Sequence, residues 1–435
     1  MGDGRATWGA GADAALVLRE QELRRAITEL SGQLAPREAG VLALRGAADP
    51  SAAPLVAREA LARAEAERTE LLVTLRARAP RYAGLVEGRT TGWRDVAAAL
   101  PAGTVLLEYL LSDSAAALFV VDRGGVHALD LGSDRRTIAS QVEFARGTLA
   151  KPSGATASRA VLERLFRTLV EPAESAGLLR GATRLLVVPH AELHYLPFAA
   201  LRQPGGGYLV ERFAIATVPS ASVWLQAEGR APRARASGRV LALAPVAAQL
   251  PGTQREVEAI AALAPASTTV LLGTRATRGA LERALPSADV LHLATYGVLN
   301  RRNPLFSHVE LAAPAGGDGR LEVHDVHGLT LDLSLVVLSA CQTGVGSGLQ
   351  ADVPAGDEWV GMAQAFLSAG ARRVMATLWL VDDQATAELM TRFHAARRQG
   401  GPTSDALATV QRGAIGDARF GDPYYWAGIQ LMGGL

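Results

Sequence analysis

The sequence predicts an α/β protein: a mainly parallel sheet with helices on both faces, preceded by a small α-helical N-terminal region. Two observations predict this class. From Arg239 onward, short apolar runs alternate with segments of helical periodicity, a pattern typical of parallel sheets covered on both faces. Over residues 13–80, by contrast, apolar residues recur only at helical spacing. We divide the chain into residues 1–95, 100–235 and 236–435.

The N-terminal region, residues 1–95, is predicted to be helical. Its first apolar residues at helical spacing are Leu16, Leu23, Ile27 and Leu30. The stretch from Leu55 to Leu75 repeats the pattern among Ala, Glu and Arg residues. Because no clean repeat period is visible, the region is either a small bundle or the remnant of a helical repeat array.

In the part from residue 100 to 235 the helical spacing of apolar residues gives way to short strand-like runs. Strands are predicted over Thr104–Tyr109, Ala116–Val121, Gly125–Leu131 and the apolar run Leu185–Pro189. Ser158–Leu169 is predicted to be a helix. The basic, non-periodic segment Arg230–Gly238 is predicted to be a linker or mobile loop.

The part from residue 236 to 435 alternates strands and helices. The predicted strands are Val240–Ala244, Thr269–Leu272, Val290–Thr295, Leu333–Ser339 and Arg373–Leu378. The predicted helices are Thr253–Leu263, Arg278–Leu285, Asp357–Ala369 and Gln384–Arg398. In parallel sheets the reactive groups lie beyond the carboxyl ends of strands. Two strand ends carry unusual chemistry there, His292–Gly297 and Ser339–Gly344.

Composition excludes several classes of function. Of 435 residues, 49% are hydrophobic and the formal net charge is +1, which predicts a large core and argues against a broad nucleic-acid-binding surface. The single lysine, Lys151, follows Ala150, so a phosphate-binding P-loop is excluded. The single cysteine, Cys341, excludes an internal disulfide and a four-cysteine metal site. With no signal peptide or apolar run of ~20 residues, we expect a cytoplasmic protein without membrane contact.

Cys341 lies where an apolar strand becomes a glycine-containing loop, a position that suits a nucleophile as well as a buried core residue. A nucleophilic thiol needs a base, usually histidine. His292, on the neighbouring predicted strand, is either that base or a hydrogen-bonded core residue. Tyr296 lies nearer the strand end, where a turn at Gly297 would expose it. A phenol with a pKa near ~10 is a poor base at neutral pH.

The two histidines of His190-Ala-Glu-Leu-His194 superficially resemble a zinc-binding pair. The metalloprotease motif places glutamate directly after the first histidine, and this segment does not. We therefore predict no metal site and no cofactor.

A series of motifs begins at residue 187 and continues nearly to residue 435: Val187–Leu201, Leu250–Val257, Asp289–Gly297, Asn303–Leu305, Leu338–Gly344, Gly361–Ala371, Ala376–Asp383 and Pro423–Ala427. In this order they resemble the motifs of CHAT domains, caspase-like domains of bacteria and other organisms that often follow tetratricopeptide repeats. The resemblance covers about residues 100–435. It implies a caspase/separase-type fold and, in active members, a Cys–His dyad that cuts peptide bonds, often after basic residues.

The resemblance places the family's nucleophile at Cys341 and its catalytic histidine at position 296, which is tyrosine here. Backbone amides near Gly297 and Cys341 would hold the oxyanion in an active relative. His292 keeps the first histidine of the family's His-x-Ala-x-His-Gly pattern, but it lies four residues, ~13 Å along a strand, from position 296. Further histidines between the two motifs are His308, His324 and His327.

Two classes of function follow. We favour a cysteine peptidase homologue with impaired activity, because loss of the histidine removes a contribution of ~10²–10⁴-fold. It would act through a protein or peptide partner in bacterial defence or signalling. The alternative is an active cysteine endopeptidase that cleaves after basic residues and uses another histidine.

A preference for basic residues would need acidic side chains at the site. The candidates are Asp357, Asp382 and Asp383. Each of them can instead cap a helix, and Asp383, before Gln-Ala-Thr, fits the N-cap position well.

Overall fold

The computed structural model describes residues 16, 19–20, 22–23, 26–27, 30, 53–78, 91–152, 156–229, 238–298, 307–314, 318–342, 357–379 and 382–435, with backbone only at 53–57, 76–78, 340–342 and 357–360. The chain divides into two compact units, Met1–Thr90 and Thr91–Leu435. Of the predicted linker Arg230–Gly238, only Gly238 is among the described residues.

The N-terminal unit is α-helical where it is described. Helix α1 spans Ala53–Arg78. Leu75 of this helix is fully buried and packs against Leu16. An ion pair joins Arg68 to the buried carboxylate of Glu20, with 2.9 Å between Nε and Oε1. The prediction of an α-helical N-terminal region is confirmed.

The helices and strands of the second unit follow one another along the chain. Its helices are α2 (Trp93–Ala99), α3 (Arg135–Leu149), α4 (Thr156–Leu169), α5 (Glu171–Ser175), α6 (Leu209–Arg212), α7 (Ala221–Glu228), α8 (Pro251–Leu263), α9 (Arg278–Ala284), α10 (Val323–His327), α11 (Asp357–Ala369), α12 (Asp383–Arg398), α13 (Thr403–Ile415) and α14 (Pro423–Trp426). Its strands are β1 (Thr104–Leu111), β2 (Ala116–Asp122), β3 (Gly125–Asp130), β4 (Arg184–Val188), β5 (Ala214–Thr217), β6 (Val240–Ala244), β7 (Thr268–Leu272), β8 (Val290–Val298), β9 (His308–Glu310), β10 (Arg320–Glu322), β11 (Leu335–Gln342), β12 (Val374–Thr377) and β13 (Ile429–Met432). Short 3₁₀ helices span Ala191–Tyr195, Phe198–Ala200, Pro265–Ser267, Gly273–Arg275 and Leu285–Ser287.

These thirteen strands form one sheet. Strands β7, β6, β8, β11 and β12 are parallel neighbours, as are β13, β5, β4 and β1. An antiparallel pairing of β12 with β13 joins these two groups. Antiparallel strands extend the sheet at β2 and β3, and at β9 and β10 beside the end of β8. The predicted mainly parallel sheet is confirmed.

Helices cover both faces of the sheet. Successive side chains of a strand point to opposite sides, so neighbouring residues of β8 pack against different helices. On one face, Val290 of β8 belongs to the same buried cluster as Ile260 of α8 and Phe393 of α12. We call this the α8/α12 face. On the other, Leu291 clusters with Phe366 of α11. The prediction of helices on both faces is confirmed. None of the described helices is both long and apolar enough to cross a bilayer.

Strand β8 is longer than predicted. It continues through Gly297 to Val298. The expected turn at Gly297 is wrong, because this residue pairs with Gln342 of β11 on one side and with Val309 of β9 on the other.

Candidate active site

Cys341 and Tyr296 are neighbours on two adjacent parallel strands. In the register of β8 and β11, the Cα atoms of these two residues are direct partners. Neighbouring strands lie about 4.8 Å apart. Four residues earlier in the same register, His292 is the partner of Val337. The alternation of each strand therefore assigns positions 296 and 341 to the α8/α12 face, near the carboxyl ends of both strands.

Tyr296 is half-buried, and the charged group that acts on it is Glu310. Burial raises the pKa of its phenol, and the charge of Glu310 on β9 raises it further. Thr295 helps to hold β9 in place, since its hydroxyl donates to the carbonyl oxygen of Glu310 at 2.7 Å. Because the pKa lies above the ordinary value of ~10, the phenol keeps its proton at neutral pH and is a poor base.

His292 is fully buried below Tyr296, and both its ring nitrogens are engaged. Its Nε2 lies 2.9 Å from Oε1 of Glu256 on α8, and its Nδ1 lies 3.1 Å from Nε2 of His394 on α12. The pKa of His394 is held well below its usual value, first by burial and then by the neighbouring His292 and the charge of Arg397. We call Glu256, His292 and His394 the buried histidine network.

The sequence reasoning did not identify Glu256 or His394. Both are buried on helices that pack against β8 and β11. The available signal was a polar residue on the apolar side of an amphipathic helix, as at His394 directly after the buried Phe393.

His308 lies on the far side of β8 from Cys341. It is buried on β9, where it pairs with Val298, and its Nε2 lies 3.5 Å from Oε2 of Glu310. Two strand spacings and two residues of rise separate its Cα from that of Cys341 by about 12 Å. A thiol and an imidazole cannot bridge that separation directly.

His324 and His327 lie on the opposite side of the sheet. Their helix, α10, buries Val323 and Val326 in the cluster that includes Leu291, away from the α8/α12 face. These two histidines are therefore not brought to Cys341.

One group of three possible metal ligands occurs among the described residues: Glu322, His324 and Asp325. Its carboxylates already have protein partners. Oδ2 of Asp325 accepts from the backbone N–H of Glu322 at 3.0 Å, and its Oδ1 lies 2.9 Å from the guanidinium of Arg278. Glu322 and Asp325 form the N-terminal capping box of α10, and this role explains why they lie together. We therefore assign no metal to the group.

The acidic candidates have different partners. Asp382 is the N-cap of α12, because its Oδ1 accepts from the N–H of Ala385 at 2.9 Å. The expectation that Asp383 caps this helix is wrong: Oδ2 of Asp383 accepts instead from the N–H of Gly252, at the start of α8, at 3.1 Å. Asp357 begins α11, and its side chain lies outside the described residues.

Asp383 lies at the same edge of the sheet as Tyr296 and Cys341, since α8 and α12 both begin beyond the carboxyl ends of parallel strands. Burial raises the pKa of its carboxyl group, and the nearby charge of Glu256 raises it further. A cation would compensate for both effects.

Comparison with known proteins gives one family and several relatives. A family model described as "CHAT domain" matches residues 159–434. Tetratricopeptide repeat protein 28 of Homo sapiens is 27% identical over 326 residues, covering 62% of this chain and 13% of that protein. Its Mus musculus counterpart is 25% identical over 342 residues, covering 66% and 13%. The chain thus spans 13% of the length of the curated relatives that it matches.

Two solved structures are also similar. The Saccharomyces cerevisiae separase–securin complex aligns with a TM-score of 0.45 and 8% identity, covering 99% of this chain and 35% of that chain. The complex of Porphyromonas gingivalis RgpB pro- and mature domains aligns with a TM-score of 0.38 and 12% identity, covering 68% and 75%.

Proposed function

Since the chain belongs to the CHAT domain family, we propose that it is a caspase-like cysteine peptidase homologue with impaired activity that acts on a protein or peptide partner. One observation carries this proposal. Tyr296 takes the position that active members of the family give to the dyad histidine, and its Cα is the direct partner of that of Cys341. The nucleophile of the family is present, and the residue beside it is a phenol.

The chemistry of the dyad explains why this substitution matters. In an active member, the thiolate attacks the scissile carbonyl carbon, and the protonated base then gives its proton to the leaving amine. Imidazole, with a pKa near ~6.5, takes and gives a proton at neutral pH. The pKa of Tyr296 is raised above that of a free phenol, so it does neither. Gly297 remains the candidate for an oxyanion-binding amide.

The described histidines offer no ready replacement. Both ring nitrogens of His292 are engaged in the buried histidine network. His308 is about 12 Å from Cys341 between Cα atoms. The alternative function, an active endopeptidase that cleaves after basic residues, would therefore require a further group between His308, which pairs with Glu310, and Cys341.

We further propose that Asp383 contributes to recognition of a basic residue, with Asp357 as a second candidate. The half-buried carboxylate of Asp383 has a raised pKa at the same edge of the sheet as Tyr296 and Cys341, and a guanidinium or ammonium group would stabilise its charge. Asp382 is the weaker candidate because its carboxylate already caps α12.

The setting of the domain is proposed as cytoplasmic, in bacterial defence or signalling. One cysteine in the whole chain fits a reducing compartment. The curated relatives are named for tetratricopeptide repeats, so we propose that residues 1–95 are the remnant of such an array and contribute to partner contacts.

The experiment compares turnover of arginine reporter peptides by the unmodified chain, Tyr296→His, and Tyr296→His combined with Cys341→Ala. Tyr296→Phe is the matched control, because it removes only the hydroxyl group. We expect negligible turnover by the unmodified chain and the control. In Tyr296→His turnover should rise by up to ~10²–10⁴-fold, and this gain should vanish in the double variant. Robust Cys341-dependent cleavage by the unmodified chain would contradict the proposal.

A further inference from the structure

Among the described residues, one face at the three-stranded end of the sheet is covered only in part. Three rows of side chains cross this face, according to the register of β1, β2 and β3: Leu106–Val121–Val126, Glu108–Phe119–Ala128 and Leu110–Ala117–Asp130. Helix α2 packs beside β2 and β3, and Leu106 and Val121 of the first row are buried. The third row is open, since Leu110 is 50% exposed.

A cavity of about 380 Å³ lies between α2 and the second row. Its walls are Trp93, Phe119, Val121, Val126 and Ala128, and its one charged side chain is that of Glu108. Trp93, the first residue of α2, is 38% exposed and is the one lining residue that does not belong to a strand. The lining thus combines aromatic and aliphatic surface with a single carboxylate. We call it the Glu108 pocket.

Glu108 has no hydrogen bond or ion pair with any other residue that the structure describes. It is half-buried, and this burial raises the pKa of its carboxyl group. An ionised carboxylate that loses water without gaining a partner destabilises the chain that carries it. A cationic ligand would remove this penalty by supplying the missing charge.

We infer that the Glu108 pocket binds the guanidinium group of an arginine carried by a partner protein. A guanidinium group is planar, so it can stack on an aromatic ring and donate two hydrogen bonds to one carboxylate. Trp93 and Phe119 supply the rings, and Glu108 supplies the acceptor. The exposed Leu110 in the next row provides apolar contact for a side chain adjacent to that arginine.

A contact within the chain shows that Trp93 accepts this kind of group. The guanidinium carbon of Arg94 lies 4.5 Å from the centroid of the Trp93 ring. Such cation–π contacts are favourable when the cation is within about 6 Å of the ring. Arg94 itself forms no ion pair with Glu108 in the described part of the chain, so this carboxylate is open to a partner's arginine.

The Glu108 pocket is separate from the candidate active site. Strands β12, β13, β5 and β4 lie between β11, which carries Cys341, and β1, which carries Glu108. Five strand spacings correspond to about 24 Å. The inference therefore does not depend on the proposed function.

The test is a titration of the full chain with N-acetyl-arginine amide, followed by tryptophan fluorescence. N-acetyl-citrulline amide is the uncharged comparison ligand, and Trp93→Phe identifies the reporting ring. The variants are Glu108→Gln, the exposed carboxylate Glu143→Gln as a matched control, and Asp383→Asn at the candidate active site. We expect saturable binding of the arginine probe that weakens at least about tenfold in Glu108→Gln and with citrulline, and that is unchanged in Glu143→Gln.

Three results would overturn the inference: no saturation with the arginine probe, equal binding by Glu108→Gln and the unmodified chain, or loss of binding in Asp383→Asn alone. Glu108→Gln should unfold at the same or a higher urea concentration than the unmodified chain, because it removes a carboxylate that is buried without a partner. The comparison of arginine with citrulline on the unmodified chain keeps the inference testable even if this variant does not fold.

Discussion

At position 252 only glycine fits, because the carboxylate of Asp383 occupies the space that a side chain would need. A Cβ atom at this position would collide with Cγ and both oxygens of that carboxylate. The bare glycine lets its N–H approach Oδ2 of Asp383 to 3.1 Å. This hydrogen bond joins the first turn of α8 to the first turn of α12, so Asp383 has a structural role beside any role in recognition.

Gly252→Ala is therefore predicted to destabilise the chain. We expect a loss of about 1–3 kcal/mol in the free energy of unfolding, since the added methyl group must displace the carboxylate and break its hydrogen bond. In an Asp383→Ala background the space is free, and the same substitution should cost less. Urea unfolding of both single variants and the double variant measures this coupling. Equal costs in the two backgrounds would mean that Asp383 is not what restricts position 252.

At the scale of elements, the buried histidine network ties β8 to α8 and α12. Its hydrogen bonds have a consistent direction when Glu256 is ionised. His292 then donates from Nε2 to Glu256, and its Nδ1 accepts from Nε2–H of His394. Because β8 also carries Tyr296, the network holds the strand of the candidate active site against α8 and α12.

This network predicts a loss of stability in mild acid. The folded chain holds the pKa of His394 well below 6.5, whereas the unfolded chain restores a value near ~6.5. Below that pH the unfolded chain binds a proton that the folded chain does not. The stabilisation is thus complete above pH ~6.5 and falls as pH decreases, by up to ~1.4 kcal/mol per pH unit for one proton.

The measurement is the free energy of unfolding in urea between pH 7.5 and 5. His394→Gln should lower the slope of the unfolding free energy against pH by up to ~1.4 kcal/mol per pH unit, the contribution of one proton. An unchanged slope in His394→Gln would show that this residue does not titrate between the two states.

At the scale of the whole molecule, several elements agree with the sequence prediction, but the long helices α3 and α13, of 15 and 13 residues, were not predicted. The predicted helix Asp357–Ala369 coincides with α11, and the predicted strand Thr269–Leu272 differs from β7 by one residue. Strands β5 and β13 were not predicted. They have four residues each, too few to show a period, and β13 pairs with β5 through residues as distant as Met432 and Thr217.

These short strands join the two parts into which we divide the second unit. The pattern of apolar runs along the sequence suggests two successive parts, residues 100–235 and 236–435. The sheet runs continuously across both, through β12, β13 and β5. Pairing between distant segments depends on tertiary packing rather than on local pattern, so the sequence did not reveal it.

The candidate site was predictable only where a motif carries it. The motifs around Tyr296 and Cys341 identified both positions, and the strand register adds that they are direct partners. The partners of His292 lie 36 and 102 residues away in sequence, and no local pattern indicates them.

We propose that no base activates Cys341, and the pH dependence of its alkylation tests this without knowledge of the substrate. Because Cys341 is the only cysteine of the chain, the rate of its reaction with iodoacetamide reports this thiol alone. We predict a rate that rises with pH to a midpoint at or above ~8.5, and a lower midpoint in Tyr296→His. A midpoint below ~7 in the unmodified chain would reveal a thiolate paired with another histidine and would contradict the proposal that no base activates Cys341.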